Sequence, residues 1–127
     1  MREESESWWE QALEDLNTAR YNLEGGIYYA SVFFSQQSAE KALKALYIEE
    51  NRELPQRTHN MLKLVDKIGV PDEIFNAVIE LNPEYFMTRY PDAANGVPAR
   101  MYTEEKAKIH LEKAEMAVEW IKLRMKL

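Results

Sequence analysis

Residues 28–50 read YYASVFFSQQSAEKALKALYIEE, and this stretch decides the fold. Val32, Ser35, Ala39, Ala42, Leu43 and Leu46 fall on one helical stripe. Phe33, Gln36, Gln37, Glu40, Lys44 and Tyr47 fall on the opposite side. A helix that is apolar or aromatic on most of its sides is usually central, with neighbours on more than one flank. Its small residues, Ala30, Ser31, Ser35, Ser38, Ala39 and Ala42, permit those neighbours to approach closely.

The flanking sequence supplies the neighbours. Upstream, Trp9, Ala12, Leu16, Ala19 and Leu23 are spaced 3, 4, 3 and 4, a single apolar stripe over residues 7–23 that Trp8 and Leu13 widen. Gly25-Gly26 ends that helix by offering positive φ. Downstream, the polar link NRELPQRTHN leads to a short helix built on Met61, Leu62, Leu64, Val65 and Ile68, with Thr58 or Asn60 as its cap and Gly69 as its stop. Pro71-Asp72-Glu73 opens a fourth helix, with Ile74, Phe75, Val78, Ile79 and Leu81 directed inward. Thr103 caps the last helix, where Ala107, Leu111, Ala114, Val118, Ile121 and Met125 recur at 4, 3, 4, 3, 4. That seam suits shallow antiparallel packing. The pattern predicts an all-α, up-and-down bundle of about five helices, with residues 1–127 as one domain.

Composition narrows the function. The chain has 127 residues, no cysteine and two histidines, His59 and His110. Disulfides, thiolate metal sites, a cysteine nucleophile and an all-histidine zinc site are therefore excluded. No stretch is long and apolar enough to span a bilayer, and the acidic start MREESESWWE has no apolar core of a secretory signal. A cytoplasmic location is the expectation, with no membrane contact. Twenty-two acids against 16 bases give a net charge of −6, which argues against a general nucleic-acid coat. A local basic pocket remains open.

One segment breaks the helical monotony. Residues 84–96, EYFMTRYPDAANG, set Arg89 and Tyr90 beside Pro91 and Asp92, inside what reads as a loop reaching to about residue 101. Two readings stay open. Asp92 and Arg89 brace a turn whose φ Pro91 presets, or Arg89 is the planar fork of an anion site. Asn95 belongs to the same segment. Glu40 and Lys44 stand four apart in the order that favours a helix pair. They read as an exposed or subunit-facing polar surface, or as one wall of a nucleotide pocket. His59 reads as a helix-start residue bonded to backbone, or as a catalytic base delivered from elsewhere in the fold. His110, grouped with Lys106 and Lys113, reads as solvated.

The sequence also resembles a known family. The QQSAEKALKA core of the central helix, THNMLKLV, TRYPDA and YTEEKAKIHLEKAEMAVEWI are similar to segments of the HEPN domain, and together they cover nearly the whole chain. The resemblance implies a helical bundle that usually dimerises. It also implies a minimal nucleotidyltransferase partner, with the pair acting in some cases as a toxin–antitoxin system. Many HEPN toxins are metal-independent ribonucleases whose motif is an arginine, four to six intervening residues, and then a histidine. Arg89 matches the arginine, but Ala94, Asn95 and Gly96 occupy the positions where the histidine belongs. The expected function is a dimeric interaction or nucleotide-binding subunit, without cofactor or metal, that makes contact through Arg89, Tyr90, Asp92, Asn95, Glu40 and Lys44. The alternative is a ribonuclease in which Arg89 works with a displaced base, His59 or Asp92.

Overall fold

The computed structural model describes residues 1–127 as helices joined by short connections. Five helices are long: α1 (Glu3–Glu24), α2 (Tyr28–Asn51), α3 (Met61–Ile68), α4 (Asp72–Leu81) and α7 (Glu104–Arg124). Two single turns, α5 (Glu84–Met87) and α6 (Pro91–Ala94), and a 3-10 turn, Pro98–Arg100, lie between α4 and α7. There is no strand, and the chain is an all-α helical bundle. The segment expected as a loop is thus a string of tight turns. No helix is long and apolar enough to cross a membrane.

α2 is central, as its all-round pattern predicts. It packs along α1 and α7 and also touches α3, α4 and α5. The small residues do more than permit approach. Ser31 donates to the Ala19 carbonyl at 2.8 Å and Ser38 donates to the Ala12 carbonyl at 2.7 Å, so two buried hydroxyls of α2 are satisfied by α1. Lys41 of α2 meets the buried Asp15 of α1, and Gln11 donates to the same carboxylate at 3.0 Å. The core below is aliphatic: Leu16, Leu43, Leu46, Met61, Val65, Val78, Leu81 and Ile121.

The ends follow the expected chemistry. Asn60 accepts from Leu62 N and Thr58 accepts from Asn60 N, so both cap formers are used. Thr103 accepts from Lys106 N. Gly26 and Gly69 adopt positive φ at helix ends. α1 begins earlier than residue 7, because Glu3, Glu4 and Glu6 favour a first helical turn at its positive end. Arg124 in the last turn of α7 clasps Glu50 at 2.8 Å and donates to the Gly69 carbonyl at 3.2 Å.

Four expectations need correction. Phe75 and Ile79 are 42% and 45% exposed, because α4 faces the core through Ile74, Ala77, Val78 and Leu81 and leaves residues 75 and 79 on its flank. His110 is not solvated but buried, since the α7 face that holds Ala107, Leu111 and Ala114 is wide enough to include it. Glu40 and Lys44 are not an exposed face: they are 2% and 6% exposed. His59 turns its ring to a side chain rather than to backbone, as the next section describes.

Candidate functional site

The buried carboxylate of Glu40 organises one end of the bundle. Gln36, one turn earlier on α2, donates to Glu40 Oε1 at 3.1 Å. Lys44, one turn later, donates to Oε2 at 3.1 Å. His59 approaches from the α2–α3 link, its Nδ1 3.2 Å from Oε2 and 3.3 Å from Oε1. A buried ion needs such partners, because it has left water behind. The Lys44 ammonium also lies 5.1 Å above the Trp8 ring, a cation–π contact that helps hold it in place.

Local sequence fixes His59 in that position. Asn82, at the end of α4, accepts from Met61 N at 2.8 Å and donates to the Asn60 side chain at 3.1 Å. The start of α3 is thereby tied to α4, and the residue before it turns toward α2. An ionised carboxylate only accepts, so His59 Nδ1 carries the hydrogen in the neutral ring, and Nε2 holds the lone pair. The imidazole ring stacks on Tyr85, with centroids 3.6 Å apart and planes at 11°.

Tyr85 also receives Arg89. The guanidinium carbon lies 5.0 Å from the Tyr85 ring, 5.2 Å from Phe33 and 5.4 Å from Tyr90. Residues 85 and 89 are four apart, and the α5 turn stacks one above the other. Neither Arg89 nor Asp92 takes part in any ion pair of the chain. The turn-brace reading through an Arg89–Asp92 bond therefore does not hold: aromatic faces support Arg89. Asp92 is an exposed residue in the first turn of α6, and Asn95 closes that turn with φ 56°.

The structure brings together much of what the sequence singled out, and it separates some of it. Arg89 and His59 share one ring, so they can be no farther apart than their two ring distances laid end to end. Glu40 and Lys44 stand behind His59, and Tyr90 borders Arg89. Tyr85, the ring common to both, was not singled out, although the i, i+4 spacings Tyr85–Arg89 and Phe86–Tyr90 in EYFMTRY were a signal for it. The face is aromatic and cationic. Phe86 and Tyr90 are 53% and 40% exposed, and Arg89 is open to solvent. A planar cation over ring faces, with a histidine beside it, is suited to holding a phosphate while the rings offer stacking surfaces. No group of three or more metal-ligating side chains is present.

Known proteins share this architecture. An archaeal HEPN homologue superposes with a TM-score of 0.83 at 35% identity, covering 98% of each chain. A protein from Thermus thermophilus superposes with a TM-score of 0.86 at 32% identity, over 95% of this chain and 98% of that one. A HEPN domain protein from Thermotoga maritima has the same fold, with a TM-score of 0.72 at 23% identity over 94% of this chain and 98% of its own. No curated protein matches the chain. The HEPN domain profile matches residues 5–124, and with the archaeal homologue it shows that the chain belongs to the HEPN domain family.

Proposed function

We propose that the protein is a phosphate- and nucleotide-binding HEPN subunit that works as a homodimer with a minimal nucleotidyltransferase partner, and that Arg89 is its anion contact. One observation carries the ligand reading: an exposed guanidinium without a carboxylate partner stands over three aromatic rings, beside a histidine on one of them. The guanidinium is a local cation in a chain of net charge −6, so anion binding here depends on this contact and not on the overall field. The pairing with a nucleotidyltransferase rests on the family resemblance. Dimerisation draws support from the aromatic margin of Phe86 and Tyr90, exposed beyond what the core requires.

The test is titration with ADP, followed by calorimetry, on wild type, Arg89→Ala and Arg89→Lys. Removal of the guanidinium should weaken binding by about tenfold or more, the scale of a lost charge-assisted contact. Lysine should retain part of the affinity as a point charge. Equal binding by Arg89→Ala and wild type would sink the reading. Co-expression with a minimal nucleotidyltransferase should give co-purification.

A second reading is favoured by a specific contact. Glu40 orients His59 through Nδ1 and frees Nε2 to accept a proton, the relation of carboxylate to general base in hydrolytic sites. A ribonuclease using His59 with Arg89 would then cleave RNA without the motif histidine. RNA cleavage by wild type that is lost in both His59→Ala and Arg89→Ala, with both variants folded, would make this the better account.

A further inference from the structure

A second buried polar cluster lies under the Arg89 segment, and the site just described does not use it. Glu84 opens α5 and is 5% exposed. Tyr102, 18 residues on at the end of the same segment, donates its phenol hydrogen to Glu84 Oε2 at 2.5 Å. The other carboxylate oxygen faces α7, with His110 Nε2 and Lys106 Nζ each at 4.0 Å. His110 is itself fixed, its Nδ1 donating to the Lys106 carbonyl at 2.8 Å. The Lys106 ammonium covers the Tyr102 ring at 4.6 Å. Thr88, also buried, donates to the Glu84 carbonyl at 2.6 Å and closes the α5 turn from the other side.

The topology gives this cluster a job. Everything between Glu84 and Tyr102, including Tyr85, Arg89 and Tyr90, is held at both ends by one hydrogen bond. Between those ends the segment has only single turns, α5, α6 and the 3-10 turn, too short to be stable alone. Asn95 sits inside it in the left-handed region, φ 56°, where a non-glycine residue needs support from its surroundings.

We infer that the Glu84–Tyr102 pair, seated on His110, is a clamp that closes residues 84–102 into a fixed loop and so positions Tyr85 and Arg89 for the ligand. The functional half of this inference rests on the ligand reading above; the mechanical half does not. Glu84, Tyr102 and His110 are positioning residues, because none of them reaches the Arg89 platform itself. Burial of Glu84 also favours the role: left without its phenol partner, a buried carboxylate would be costly.

Amide hydrogen exchange tests the clamp directly, with Tyr102→Phe deleting the donor and Glu84→Gln keeping an acceptor oxygen for the phenol. In Tyr102→Phe the amides of Thr88, Tyr90, Ala94 and Gly96 should exchange about tenfold faster or more, the loss of one buried bond to a charged acceptor. Amides in the middle of α2 should keep their wild-type rates. Glu84→Gln should lie between the two. ADP affinity should fall in Tyr102→Phe by up to the same factor and recover in Glu84→Gln. Uniform acceleration across α2 and the segment, or none in the segment, would overturn the clamp. Faster segment exchange with unchanged ADP affinity would overturn its positioning role. If wild type does not bind ADP, the ligand reading fails, and the exchange pattern alone still decides for or against the clamp.

Discussion

Replacing Glu40 by leucine should reveal how much the site's foundation depends on one buried charge. The Glu40 side chain is buried, and its carboxylate is shared by Gln36, Lys44 and His59. In Glu40→Leu the buried Lys44 side chain loses the counter-ion of its ammonium. Stranding a buried charge in this way costs about 3–5 kcal/mol. The Trp8 ring offsets part of it, as a cation–π contact is worth about 0.5–2 kcal/mol. The net expectation is therefore near the lower end, about 3 kcal/mol, or about 12 °C in melting temperature for a chain of this size. The reverse change, Lys44→Met, should be milder, about 1.5–3 kcal/mol, because Glu40 keeps two hydrogen-bond partners, Gln36 and the His59 ring. The double variant removes both charges. Exchanging a buried pair for apolar side chains of similar volume is often close to neutral, so it should stand within about 1.5 kcal/mol of wild type. Urea unfolding followed by circular dichroism measures all three. A loss under about 1 kcal/mol for Glu40→Leu, or a double variant as unstable as the sum of the singles, would refute the description of a buried, mutually dependent pair.

Two further outcomes follow from the fold. Leu111→Asp or Val118→Asp places a charge in the α7 seam, at 8% and 4% exposure, and should unfold the bundle, whereas Lys113→Ala should leave its melting temperature nearly unchanged; equal values for the three would refute the packing of α7. Tyr102 has its phenol pKa raised, by burial first and then by the hydrogen bond and charge of Glu84. The unfolded phenol ionises near pH 10 while the folded one stays neutral, so this group's contribution is whole below pH 10 and is lost as pH rises beyond it. The stability gap between wild type and Tyr102→Phe should accordingly narrow above about pH 10 in urea unfolding at stepped pH, and a gap that widens there would contradict the buried phenol.

The bundle was legible because its signals are periodic and local. The stripes of α1 and α7, the caps at Asn60 and Thr103 and the stop at Gly69 are all carried by spacing within one helix. What spacing cannot give is which flank of a helix another element will cover. Phe75 and Ile79 read as core but face outward, and Glu40, Lys44 and His110 read as polar surface but are enclosed by neighbours distant in sequence. The candidate site was half legible for the same reason. Arg89 stood out within one short segment, whereas its link to His59 passes through Tyr85, and the stacking of residues 59 and 85 depends on Asn82 fixing the start of α3. Aromatic support for Arg89, rather than a bond to Asp92, likewise follows from Phe33 arriving from α2.

The most direct measurement of the central claim is where a phosphate-bearing ligand lands. In a nitrogen–proton correlation spectrum of the labelled protein titrated with ADP, the Arg89 side-chain Nε–H and the amides of Tyr85 and Tyr90 should shift together, with the His59 ring following. The same titration of Arg89→Ala, its bundle signals unchanged, should leave the Tyr85 and Tyr90 amides and the His59 ring still. Shifts confined to another face of the bundle, or an Arg89→Ala spectrum that responds as wild type does, would contradict the assignment of Arg89 as the anion contact.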